Sequence, residues 1–307
     1  MTDTIAATVA PGAAGDDVGE ARSLTQDAWR SLKKNKMFWI SVALIGVFVL
    51  MAIWPSLFTS KDPGFGDINN VRATPSAEHW FGTDTQGYDI YARTIYGARA
   101  SIIVGILASL TTLLLGGVLG VLAGFYGGWL DALLSRITDI FYAIPLILGG
   151  ILFMASFPNG ANSNYFVVVG KVVLVLTVFG WPTIARLMRS SVLQVKPNEY
   201  VLAARALGAS PWRIIRSHIL PNALAPAIVV ATINLGVFIV VEATLSFLGI
   251  GLTPPAISWG VAISDALNAI RTYPHILLFP SLFLSLAVLA FILLGDAVRD
   301  AFDPKSR

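Results

Sequence analysis

Six stretches of the chain are apolar over the length, on the order of 20 residues, that an α-helix needs to cross about 30 Å of hydrocarbon. They fall at residues 38–58, 101–125, 135–157, 165–185, 222–250 and 276–298, and make the chain a polytopic membrane protein. The third is the weakest, because Arg136 and Asp139 interrupt its start. The charge content agrees: 13% of the 307 residues are charged, about half the share in a soluble domain. The absence of cysteine excludes a disulfide scaffold and a thiolate metal site and leaves the redox compartment unread. A net charge of +3 is too small to suggest a nucleic-acid partner. The first stretch is no signal peptide, since about 36 mostly polar residues precede it and its Trp54-Pro55 exit lacks a small-residue cleavage site. Residues 1–20, rich in Ala, Gly, Thr and Asp, read as a disordered tail.

Lysine and arginine set the expected orientation. Fifteen fall on one side of the membrane, in the N-terminal tail, at Arg136, between the fourth and fifth stretches and at the C-terminal end. Five, Lys61, Arg72, Arg93, Arg99 and Arg271, fall on the other, and Lys171 lies inside a stretch. The positive-inside rule therefore places both termini and the connection 186–221 in the cytoplasm. Two opposite connections, of about 42 and about 25 residues, are long enough to carry function or packing of their own. The first contains Asp62-Pro63-Gly64 and Trp80-Phe81-Gly82-Thr83-Asp84, which supply turns and apolar anchors. No soluble catalytic domain is visible.

The cytoplasmic connection parses into two short helices. Asn198 is a good N-cap, Glu199 suits the positive dipole end, Val201 to Leu207 are mostly helix formers, and Gly208 is a natural stop. After Ala209, Ser210 caps a second helix with Pro211 at its first position. That helix is expected to run to Leu220, where Pro221 breaks it and Asn222 caps the fifth span. Ala203, Ala204 and Ala206 allow close approach, Leu202, Leu207 and Trp212 offer apolar contact, and Arg205, Arg213 and Arg216 suit acidic partners. The physics leaves two readings: a docking surface for another protein, or an amphipathic pair lying on lipid headgroups.

The run Ala203-Ala204 … Gly208 … Leu220-Pro221 resembles the "EAA" loop of membrane subunits of bacterial ATP-driven (ABC) importers. Leu202 stands where that family has its glutamate, with Glu199 three residues earlier on nearly the same helix face. Further stretches are similar to the C-type dipeptide, oligopeptide and nickel permeases: His79-Trp80-Phe81-Gly82-Thr83-Asp84, Tyr96-Gly97-Ala98-Arg99, Ala143-Ile144-Pro145, and Glu242 to Gly251 with Ser258-Trp259-Gly260. The resemblance spans about residues 28–303.

Several residues admit two readings. Lys171 and Glu242 either line a translocation path or pair with one another, or else Lys171 snorkels outward and Glu242 satisfies nearby backbone. Arg136 and Asp139, one turn apart, are expected to form a structural ion pair. Gly116, Gly120 and Gly124 have small-xxx-small spacing that serves either internal packing or a partner interface. His79, His218 and His275 are too scattered for a metal site, and His218 is expected to pack in the second loop helix. The basic residues before the first span, Arg30, Lys33, Lys34 and Lys36, read as a lipid-facing collar or a regulatory handle. No G-x-x-x-x-G-K-[ST] phosphate loop occurs.

The resemblance implies an all-α fold of six transmembrane helices, the type I ABC importer permease fold, in a bacterial inner membrane. Residues 1–27 would form a cytoplasmic tail and 28–100 an amphipathic start, the first span and a long outer loop. A permease core would cover 101–303 with coupling loop 186–221, and 304–307 would close the chain. The implied function is non-catalytic: half of a pathway for dipeptides or oligopeptides. The implied partners are a homologous second permease, two ATP-binding subunits holding ATP and Mg, an extracytoplasmic substrate-binding protein and the lipid bilayer. The chain itself would carry no cofactor. A nickel or other small-solute permease, or a self-sufficient secondary carrier, are the rival readings.

Overall fold

A computed structural model describes residues 24–160 and 163–302 of the chain. The tail expected at 1–20 lies outside the described residues, as does 304–307. The described residues are almost wholly helical, with two isolated bridges, Gly66 to Tyr88 and Thr83 to Asp89, in the first long connection.

The described residues begin with α1 (Leu24–Lys34), whose first residues fall inside the tail expected at 1–27. Asn35 alone separates it from α2 (Lys36–Ile53), and its side chain accepts the Met37 N–H at 2.8 Å. Capping of this kind satisfies an amide that the first helical turn leaves free. The next helix, α3 (Ile90–Tyr126), is 37 residues long. It starts eleven residues before the apolar stretch does, because Arg93 and Arg99 do not end it. The Arg93 guanidinium pairs with Asp84 at 3.0 Å and lies over Tyr88, while Arg99 donates to the Ala52 carbonyl at 2.8 Å.

The third expected span is broken. α4 (Gly128–Ala143) and α5 (Leu146–Ser156) meet at an angle of 83° across Ile144 and Pro145. Pro145 lacks an N–H and biases Ile144 away from helical backbone, which explains the break. The helix α6 (Tyr165–Val195) runs ten residues past the expected end, carrying Arg186 and Arg189 in helical conformation. After the loop, which holds α7 (Glu199–Ala206), α8 (Pro211–Ile214) and α9 (Leu220–Ala223), come α10 (Ala225–Phe247), α11 (Trp259–Ala266) and α12 (His275–Phe302). Five described helices are long and apolar enough to cross a membrane, and the α4–α5 pair makes a sixth if its two bent halves form one span.

Glycine sets the closest packing. α3 and α6 run parallel, and Gly116, Gly120 and Gly124 all face α6. A Cβ on Gly116 would lie 2.8 Å from that of Ile184, one on Gly120 2.7 Å from that of Met188, and one on Gly124 2.9 Å from that of Val192. The spacing thus serves the subunit's own fold, while Gly117 has nothing within 4 Å. α10 runs antiparallel to α3, with Ser109 donating to the Ala231 carbonyl at 2.6 Å. α12 returns along α10, with Gly236 beside Phe291 and Gly295 beside Ile233. α2 completes the bundle through Phe48, edge-on to Trp259 and Phe283. The bundle therefore has a basic end, where α3 and α6 finish, and an opposite end, where α3 begins.

Candidate functional site: the loop at the basic end

The loop between α6 and α10 begins with α7 (Glu199–Ala206), capped in position by Asn198, whose side chain bonds the Tyr200 hydroxyl rather than a helix N–H. Gly208 has φ +80°, where a side chain is strained, and the Gly208 and Ala209 amides donate back to Arg205 and Ala204. Ser210 then accepts the Arg213 N–H at 3.4 Å and starts α8 (Pro211–Ile214). A π-helical turn (Ile215–Ile219) leads directly into α9 (Leu220–Ala223).

Pro221 therefore does not break this helix as expected. The wider π turn gives its ring room and asks for no N–H at that position. Asn222 caps nothing either: its side chain donates to the His218 carbonyl at 2.8 Å. His218 lies half-buried in this helical stretch, its ring 6.4 Å from that of Tyr200.

Burial sorts the loop into two faces. Val201, Ala204, Ile214, Ile215 and Ile219 pack against Val121 and Phe125 of α3 and Ile184, Met188 and Val192 of α6. Ala204 points inward, away from any docking surface, contrary to the expectation for the three alanines. Leu202, Leu207 and Trp212 face outward, Leu207 with 88% of its surface exposed. Glu199, Ala203, Arg205, Ala206, Gly208, Ser210, Arg213, Arg216 and Pro221 are exposed with them, and Ala209 and Leu220 lie between the two faces. The outcome is a small apolar patch ringed by cations, held by a core that runs straight into α3 and α6.

The two intramembrane charges do not pair. Lys171 donates to the carbonyls of Phe157 and Pro158, at 3.2 and 3.0 Å, beyond the end of α5. Its ammonium caps those exposed carbonyls, in keeping with the outward-snorkelling reading. Glu242 is fully buried and accepts hydroxyl hydrogens from Ser101 at 3.0 Å, Ser246 at 2.8 Å and Ser258 at 3.0 Å. It satisfies hydroxyls rather than backbone, and it joins α3, α10 and the start of α11. No surface of it is left to line a path.

Residues 116–307 match the family described as "Binding-protein-dependent transport system inner membrane component", and residues 23–75 match the "N-terminal TM domain of oligopeptide transport permease C". The chain belongs to this permease family. The permease is 40% identical over 285 residues to the oligopeptide transport system permease protein OppC of Bacillus subtilis (strain 168), covering 93% of this chain and 91% of that one. It is 41% identical to the dipeptide transport system permease protein DppC of the same organism, covering 93% and 87%. The glutathione transport system permease protein GsiD of Pectobacterium atrosepticum is 35% identical, covering 92% of each. In fold it is similar to the inward-facing MetNI methionine ABC transporter, with TM-score 0.54 and 23% identity over 68% of this chain and 96% of that one. It is thus a membrane permease subunit of an ABC importer.

The permease also contains clusters that the sequence reading missed. Arg136 does reach Asp139, at 3.7 Å, but the shorter contact comes from Arg186 of α6, at 2.7 Å, whose guanidinium also stacks on Tyr142. Asp131 of α4 is held by Arg189 through two oxygens. Lys196 donates to the Phe125 carbonyl at 2.6 Å, closing the end of α3. These ties lash α4, α3 and α6 together next to the loop. At the opposite end, Asp89 caps α3 through Ala92 and binds Lys61 at 2.9 Å and His79 at 2.8 Å. Burial raises the Asp89 carboxyl, but the Ala92 N–H, Lys61 and His79 outweigh it and hold the group below the ordinary value. Nothing local in the sequence marks Asp89: the apolar stretch begins only at residue 101, and its partners Lys61 and His79 lie 28 and 10 residues away.

Proposed function

We propose that this permease imports short peptides through a pathway that it shares with a homologous second permease. Two ATP-binding subunits, with their ATP and Mg, would sit on the exposed loop, and an extracytoplasmic binding protein would deliver cargo to the opposite end. Both termini would then be cytoplasmic in a bacterial inner membrane, as the distribution of Lys and Arg favours. The observation that carries the ATPase-docking part is the outward patch of Leu202, Leu207 and Trp212, left uncovered on a loop whose other face is packed. Large exposed apolar side chains on an ordered helix pair suit a protein groove. The peptide part leans on the relatives, which are named for oligopeptide, dipeptide and glutathione transport.

Nucleotide-driven closure of the ATPase pair would push on α7 and α8. Because their inner faces are built into α3 and α6, the push would tilt those helices as a body, and the pathway would switch between inward- and outward-facing forms. The break at Ile144 and Pro145 faces Pro182 inside α6 across a groove of about 280 Å³, which gives both helices a place to bend at one level.

The deciding experiment is uptake by the complete importer in proteoliposomes. Labelled dipeptide should enter only with ATP inside and binding protein outside, and unlabelled tripeptide should compete where nickel salts do not. Uptake that survives ATP depletion under a maintained proton gradient would sink the ATP-driven reading. Competition by nickel alone would overturn the cargo.

A further inference from the structure

The elbow between α1 and α2 takes no part in the loop or in the buried acid. Its inner side is simple: Ala28 and Leu32, four residues apart and so on one helix face, are buried against Ala297, Val298 and Ala301 of α12. Its outer side is of another character. Arg30, Lys33 and Lys34 of α1 and Lys36 at the start of α2 are all exposed, four cations within seven residues.

Two indoles stand among them. Trp29 and Trp39 are each about half exposed, at 50% and 52%. The Trp39 ring N–H donates to the Lys33 carbonyl at 3.0 Å, which pins the first turn of the span to the last turn of α1. The Lys33 ammonium lies 5.2 Å from the centre of the Trp29 ring. On the membrane side of this layer, Met37 and Ile40 are exposed and wholly apolar. The elbow thus presents cations, then indoles, then aliphatic side chains in order. An anionic phospholipid presents the complementary order of phosphate, glycerol ester and acyl chain, and tryptophan concentrates at the ester level.

We propose that the α1–α2 elbow is a binding site for anionic phospholipid, its headgroup taken by Arg30, Lys33, Lys34 and Lys36 and its ester region by Trp29 and Trp39. A lipid seated there holds α1 down on the last turns of α12, so the packing of that helix end depends on the bilayer's charge. The inference needs α2 to be a span and is independent of cargo and of the ATPase.

The test counts lipids on the permease itself. The permease, purified in neutral detergent with the subunits it retains, is titrated with phosphatidylglycerol and separately with phosphatidylcholine, and bound lipid is read by native mass spectrometry. Wild type should retain phosphatidylglycerol at about tenfold lower concentration, since each nearby cation attracts an anionic surface. The combined R30Q, K33Q, K34Q and K36Q variant should lose that preference, while R213Q with R216Q in the exposed loop should keep it. W29A with W39A should weaken both lipids alike. Equal retention of the two lipids by wild type, or an unchanged preference in the fourfold variant, overturns the site. A preference that emerges only on deleting residues 1–20 assigns the cations to the chain's own Asp16, Asp17 and Glu20, and overturns it as well.

Discussion

Two runs of small residues in this chain look alike in sequence and have opposite fates. Gly116, Gly120 and Gly124 lie on α3 where any side chain would strike α6. Ala203, Ala206 and Gly208 lie on the loop, exposed, and a Cβ on Gly208 would meet nothing within 4 Å. The first run is spent on the fold; the second leaves a surface open. Small residues thus mark close approach in general, and only the neighbours show whether the approach is made within the subunit or kept for a partner.

The largest effect expected from this contrast is at the seam. G120L should cost about 3 kcal/mol or more, because backbone and Cβ atoms of α6, rather than a flexible side-chain tip, must move. G117L, one residue away and facing open space, should leave the thermal midpoint nearly unchanged. Equal losses in the two variants would show that α3 and α6 do not meet along this stripe. Next in size is Glu242, whose replacement by Leu leaves three buried hydroxyls without their acceptor, a loss of roughly 2 kcal/mol or more. E242Q keeps a carbonyl oxygen there and should lose about half as much in the same unfolding scan.

The loop should respond in the reverse manner. L207E places a charge on a side chain that touches little of its own subunit, so stability should hold within about 0.5 kcal/mol. Stimulated ATPase and uptake should fall at least tenfold if a partner buries that leucine. Unchanged uptake would move the docking surface elsewhere. G208A tests the loop's backbone rather than its surface: at φ +80° it should cost about 1 kcal/mol although its Cβ is free of clashes.

How much of this was legible depended on whether the deciding partner was near in sequence. The six apolar stretches, the Ser210 cap and the Gly208 stop were readable, because hydropathy and capping are local. Arg93, Arg99, Arg186 and Arg189 looked like helix ends only while Asp84, Ala52, Asp139 and Asp131 were out of view. Glu242 read as a possible path residue because Ser101 and Ser258, which occupy its oxygens, lie 141 and 16 residues away. Pro221 misled for another reason: the π turn before it accommodates a residue that would otherwise end the helix. The inward side of Ala204 was a matter of helix phase, which three alanines in four positions leave undetermined.

The opposite end offers a finer form of the same contrast. Asp89 sits in a long connection, yet its side chain is only 7% exposed and it ties Lys61, His79 and the start of α3 together. Its carboxyl is held below the ordinary value of 3.8, so the folded state keeps it ionised more readily than the unfolded chain does. The resulting stability is fully present above the unfolded value and is lost as pH falls through the lower folded one. D89N retains a capping oxygen but not the charge. At neutral pH wild type should therefore exceed D89N by about 1 kcal/mol, discounted because Lys61 is partly solvated. On acidification below about pH 4 the two unfolding midpoints should converge. A gap that stayed constant to about pH 3 would mean that Asp89 acts through packing alone, as the glycine seam does, and that its contacts with Lys61 and His79 contribute nothing to fixing this connection.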